Sequence, residues 1–149
     1  MVGPIVREFA TPAPTVIGVH QTLEEAHRIM RKQGIRHLPV LGANGALVGI
    51  LSQRDLYFLE TIQGVEPEEV EVEDAMSPEP FVVHPNTQLR AAARRMWQGR
   101  LSCSVVVEKQ KVVGILTSVD ALRALTHLLA PQAARRSGPR RAPARRRAR

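Results

Sequence analysis

The chain of 149 residues has one cysteine, Cys103, so it cannot form an internal disulfide and carries no Cys-x-x-Cys redox pair. Cys103 sits beside Val105, Val106 and Val107, the setting of a buried, inert thiol. Aromatic residues make up 3% of the chain, which leaves Leu, Val, Ile, Ala and Met to build the core. No run approaches the roughly 18 apolar residues of a membrane span. The start, Met1-Val2-Gly3-Pro4-Ile5-Val6-Arg7-Glu8, lacks the apolar stretch of a signal peptide, so a cytoplasmic protein is expected. A Gly-rich phosphate loop, a serine elbow and a paired carboxylate are also missing. A binding module is therefore expected, not an enzyme. His20 and His27 lie seven apart across a helix start with no cysteine or acid to complete a set, so no metal site is expected.

Charge is unevenly placed. Residues 135–149 hold eight arginines and no acid, whereas the rest of the chain carries 13 basic and 14 acidic residues. The sequence pI of about 10.9 thus belongs to a tail. With Pro131, Pro139 and Pro143 and no apolar periodicity, residues 130–149 are expected to be disordered. Two readings stay open: salt-sensitive binding of nucleic acid or another polyanion through residues 135–149, or a solubilising extension. A second charge run, Glu66, Glu68, Glu69, Glu71, Glu73 and Asp74, reads as an exposed linker or as a mask for the tail.

What the chain does have is repetition. Gly49-Ile50-Leu51-Ser52-Gln53-Arg54-Asp55 returns as Gly114-Ile115-Leu116-Thr117-Ser118-Val119-Asp120. Upstream, Leu23, Ala26, Met30, Ile35 and Val40 answer to Leu89, Ala92, Met96, Leu101 and Val106. The triplets Leu23, Ala26, Met30 and Leu89, Ala92, Met96 fall at i, i+3, i+7, which predicts a helix whose apolar stripe faces a core. Two strands and a second helix follow in each copy. Gly42-Ala43-Asn44-Gly45 predicts the hairpin of the first copy, and Glu108-Lys109-Gln110-Lys111 does the same job less well. Thr22 followed by Glu25 predicts a capping box. A duplication of this kind places function between copies, not within one.

The pattern Leu-x-x-Ala-x-x-x-Met, then Gly34-Ile35-Arg36-His37-Leu38-Pro39-Val40, then Gly-Ile-Leu-Ser/Thr-x-x-Asp, resembles a pair of CBS (cystathionine β-synthase type) domains. The resemblance covers roughly residues 8–128. It implies an α/β (α+β) fold of two helix–strand–strand–helix repeats, related by a pseudo-two-fold in a single compact domain. The corresponding division is 1–7 as an N-terminal extension, 8–63 as repeat 1, 64–75 as an acidic linker, 76–129 as repeat 2 and 130–149 as the tail.

The family commonly binds adenosine-containing ligands between its repeats. The resemblance therefore implies a regulatory module for AMP, ADP, ATP or S-adenosylmethionine. By the family's rule, Asp120 would serve ribose, Thr117 would offer its hydroxyl and N–H to phosphate, and Arg36 and His37 would meet the phosphate end, His37 helping most when protonated. Asp55, Ser52 and Arg54 would form a second site, weaker or differently selective, facing Ser102, Cys103 and Ser104. Val16-Ile17 and Phe81-Val82-Val83 would hold adenine. Spacing alone allows another reading of both Ser/Thr-x-x-Asp motifs, as helix N-caps with an acid in the first turn. A homodimer is expected because Leu56, Phe58, Leu59, Leu122, Leu125, Leu128 and Leu129 offer more apolar helix surface than a thin body buries.

Overall fold

A computed structural model describes residues 2–131. Their elements run α1 (Val6–Phe9), β1 (Thr11–Pro12), β2 (Ile17–Gly18), α2 (Leu23–Gln33), β3 (His37–Leu41), β4 (Leu47–Ser52), α3 (Gln53–Glu60), α4 (Val72–Ala75), β5 (Ser77–Pro78), β6 (Val82–Val83), α5 (Leu89–Gln98), β7 (Cys103–Glu108), β8 (Lys111–Thr117) and α6 (Ser118–Leu129). The helix–strand–strand–helix order predicted from the repeat is present twice. None of these helices is long and apolar enough to cross a membrane. Most of the arginine tail lies outside the described residues.

The chain divides into two compact units. One spans Thr15–Pro80 and holds the sheet β2-β3-β4-β5, with β2 parallel to β3 and the other pairs antiparallel. The other joins the N-terminal segment to Pro14 with the chain from Phe81 onward. Its sheet, β1-β8-β7-β6, has the same pattern of senses. Register is also repeated: His37, Leu38, Pro39 and Val40 face Ser52, Leu51, Ile50 and Gly49, as Cys103, Ser104, Val105 and Val106 face Thr117, Leu116, Ile115 and Gly114.

The unit boundaries differ from those the repeat suggested. The N-terminal segment packs on the sheet of the second copy, with Val6 and Phe9 in its core and Thr11–Pro12 paired with β8. Its equivalent, at the end of the acidic stretch 64–75 and the beginning of 76–129, packs on the first. Val72 is fully buried there, and Ser77–Pro78 pairs with β4. Four residues of helix and two of strand are too short to show a period, and their partners are remote in sequence. The repeated motif glycines now have a physical reason. A Cβ on Gly49 would lie 3.0 Å from the Ser77 carbonyl oxygen, and one on Gly114 would lie 3.2 Å from that of Thr11. The added strand can approach only where no side chain stands.

Leu23, Ala26, Met30, Leu38, Val40 and Leu51 form one core, and Leu89, Ala92, Met96, Val106 and Leu116 the other. Leu56 belongs to the first core and is 1% exposed, so it is not part of an outward helix face. The Thr22 capping box is present, with Thr22 N–H donating to Glu25 Oε2 at 3.0 Å and Glu25 N–H to Thr22 Oγ1 at 3.2 Å. Helix α2 closes on Gly34 at φ 58°. The copy of that bend falls on Arg100, at φ 53°, where a side chain makes the left-handed conformation costly. The second hairpin likewise sets Lys109 and Gln110 at φ 49° and 63°.

Candidate ligand-binding site

The Ser/Thr-x-x-Asp motif sits where the fourth strand of each copy turns into the following helix. Ser52 caps α3: its Oγ accepts from Asp55 N–H at 3.2 Å, while Asp55 Oδ2 accepts from Ser52 N–H at 2.8 Å and Ser52 Oγ–H at 2.7 Å. Thr117 and Asp120 repeat the arrangement on α6 at 3.3, 2.9 and 3.0 Å. Both motifs are therefore capping boxes, which satisfy helix-end N–H groups. The box uses only Oδ2, and a carboxylate has a second oxygen with its own lone pairs. Capping and ligand contact are compatible on the same aspartate.

The two aspartates differ in surroundings. Asp120 is 7% exposed, and its Oδ1 lies 3.4 Å from Arg123 Nη2, a group that also donates to the Phe9 carbonyl. Asp55 is half-buried, with exposed Arg54 next to it in the chain. His37 stands opposite Ser52 across the β3–β4 ladder, and the Arg36 carbonyl accepts from Gln53 N–H at 2.8 Å. Arg36, His37, Ser52, Arg54 and Asp55 are thereby gathered at one end of one sheet. Burial lowers the His37 pKa below its usual 6.5, Asp55 opposes this, and Arg36 adds to it. In the ligand-free chain this balance disfavours the charged ring, so a phosphate contact through it would have to supply the opposing charge. The cations at this edge are the exposed Arg36 and Arg54.

In the other unit Cys103 takes the place of His37 opposite Thr117, and the Ser102 carbonyl accepts from Ser118 N–H at 2.9 Å. Cys103 is half-buried, not fully buried as its valine neighbours suggested, and desolvation still pushes its thiol up to about 12, which favours the protonated form. Ser104 fills the position of Leu38, is fully buried, and its Oγ has no hydrogen-bond partner among the described residues. Of the segments expected to hold adenine, Ile17 and Val83 are core residues, whereas Val16 and Val82 are 36% and 44% exposed. Phe81, Val82, Val83 and Arg95 line a depression of about 290 Å³. The Arg95 guanidinium lies 4.5 Å over the Phe81 ring. Sequence reading passed over Arg95, because an arginine on the outer side of a helix looks solvated until the strand residue beneath it is located.

Two CBS domain matches, at residues 6–59 and 72–127, cover most of the chain. The chain belongs to the CBS domain family. This CBS pair is 32% identical over 124 residues to an inosine-5'-monophosphate dehydrogenase from Korarchaeum cryptofilum, covering 83% of the pair but 24% of that enzyme. It is 29% identical over 115 residues to the CBS domain-containing protein YhcV of Bacillus subtilis, covering 77% of the pair and 81% of YhcV. Among solved structures, CBSX2 of Arabidopsis thaliana in complex with AMP matches with a TM-score of 0.75 and 29% identity, over 86% of this chain and all of that one. CBS-pair structures of this group hold adenosine-type ligands, which supports a nucleotide-binding regulatory module in general.

Proposed function

We propose that this CBS pair is a non-catalytic regulatory module that senses an adenine nucleotide, AMP, ADP or ATP, in the cytoplasm. The observation that carries the reading is the twice-built Ser/Thr–Asp box, whose Oδ2 caps a helix while its second oxygen remains outside the box. That oxygen suits the paired hydroxyls of a ribose, which at Asp120 would share it with Arg123 Nη2, now 3.4 Å away, and exposed Arg36 suits a phosphate. In this reading Asp120 and Thr117 serve the principal site with Arg36 and His37. Asp55, Ser52 and Arg54 serve the second. The pairing rests on the family resemblance.

The module acts as a homodimer. Along α6, Val119, Leu122, Leu125 and Leu129 are 66%, 61%, 50% and 73% exposed at three- and four-residue steps, and Phe58 on α3 is 67% exposed. Sedimentation that shows only monomer at micromolar concentration refutes this. The nucleotide reading is tested by thermal shift of the full chain with AMP, ADP and ATP, with CMP and pyrophosphate as charge controls. A ligand at 100 times its Kd stabilises by about 2.7 kcal/mol. A shift specific to adenine nucleotides, absent from Asp120→Ala and kept by Asp55→Ala, is expected. Equal shifts with pyrophosphate refute it. The second reading, a dimeric scaffold or nucleic-acid-associated protein acting through the arginine tail, predicts salt-sensitive polyanion binding that disappears on deletion of residues 130–149.

A further inference from the structure

The fold brings His20, 51 residues from Glu71 in sequence, into direct contact with it: Nδ1 lies 2.9 Å from Glu71 Oε2. Glu73 completes a group in which one donor atom from each side chain lies within 4.8 Å of the others. We propose that His20, Glu71 and Glu73 bind a first-row divalent metal ion of the zinc class.

Three features of the molecule carry this. The first is preorganisation. The two segments are joined by the Thr22–Glu71 bridge and by Leu23 N–H to Val70 O at 3.0 Å, Val72 N–H to Gln21 O at 2.8 Å and Glu73 N–H to Val19 O at 3.1 Å. Val72, fully buried, anchors the backbone between the two glutamates. Ligands on zinc stand about 3.4 Å apart at bond lengths near 2.1 Å, so side-chain rotation alone closes the group.

The second is charge and donor type. Two carboxylates match a divalent cation, and the imidazole favours zinc and its neighbours over Mg²⁺ or Ca²⁺, which take oxygen ligands. The third is openness. His20 and Glu73 are exposed, so three protein donors leave a position for water or an external ligand. An ion here ties the segment leading into α2 to the start of α4, and so ties the acidic segment to its own core.

The test is calorimetric titration of the full chain, stripped with chelator, with ZnCl₂ in a non-chelating buffer, beside melting curves with Zn²⁺, Mg²⁺ and EDTA. One zinc per chain and a melting rise with Zn²⁺ but not Mg²⁺ are expected. His20→Asn and Glu73→Gln should each weaken binding by about tenfold or more, with melting in EDTA unchanged because both side chains are on the surface. If His20→Asn alters melting in EDTA, Glu73→Gln decides, since it leaves the His20–Glu71 contact in place. Zinc bound with unchanged affinity by the double variant, an equal response to Mg²⁺, or no zinc bound would each overturn the proposal. None of these outcomes depends on whether the pair binds nucleotide.

Discussion

Truncating the two box aspartates separates what each does for the fold from what it does for a ligand. Asp120→Ala removes the acceptor for Thr117 N–H and Oγ–H, and leaves Arg123 without the carboxylate at 3.4 Å. Hydrogen bonds to a charged group contribute about 1.5–3 kcal/mol and the lost group is buried, so the cost is about 2–3 kcal/mol. Asp55→Ala removes the equivalent two bonds at a half-buried site where no arginine among the described residues pairs with the carboxylate, for about 1–2 kcal/mol. At about 3 °C per kcal/mol for a chain of this length, the melting midpoints fall by about 6–9 °C and about 3–6 °C. Circular dichroism melts of the ligand-free variants measure both. An Asp120→Ala midpoint within about 1 °C of the parent, or a larger loss for Asp55→Ala, would refute the ordering. Nucleotide shifts then have to be read against each variant's own ligand-free midpoint.

Arg100→Gly relieves a left-handed residue that its counterpart Gly34 occupies freely, and should raise stability by about 0.5–1 kcal/mol in urea melts, whereas Gly34→Arg should lower it by at least as much. Equal stability of Arg100→Gly and its parent would show that the Arg100 side chain offsets the bend. Ser104→Ala deletes a buried hydroxyl without a partner and should be neutral or stabilising by about 1 kcal/mol, so a clear loss on chemical denaturation contradicts the assignment. His37, with its folded pKa below 6.5, contributes stability that is complete above 6.5 and is lost as pH falls through the folded value. Relative to His37→Gln, the parent should therefore weaken as pH falls below 6.5. A parent that gains on the variant over that range shows the opposite shift. The comparison must be with the variant because His20 titrates the other way: its hydrogen bond to Glu71, then the Glu71 and Glu73 charges, raise its pKa.

What the sequence determined by itself is what depends on neighbours a few residues apart. The Leu23–Ala26–Met30 stripe, the Thr22–Glu25 box and the Ser/Thr-x-x-Asp caps all close within one or two helical turns, so their spacing alone predicts them. Their duplication was enough to identify the family and the order of helices and strands. Tertiary structure decided whatever joins remote segments. Val6–Phe9 and Val72–Ala75 are too short to carry a period, and only packing assigns each to a sheet. Leu56 turned inward, Arg123 settled on Asp120 and the Phe9 carbonyl, and burial set the His37 pKa against Asp55. His20 meeting Glu71 and Glu73 is of the same kind: a backbone bridge between distant segments made them neighbours, and no local spacing encodes a bridge.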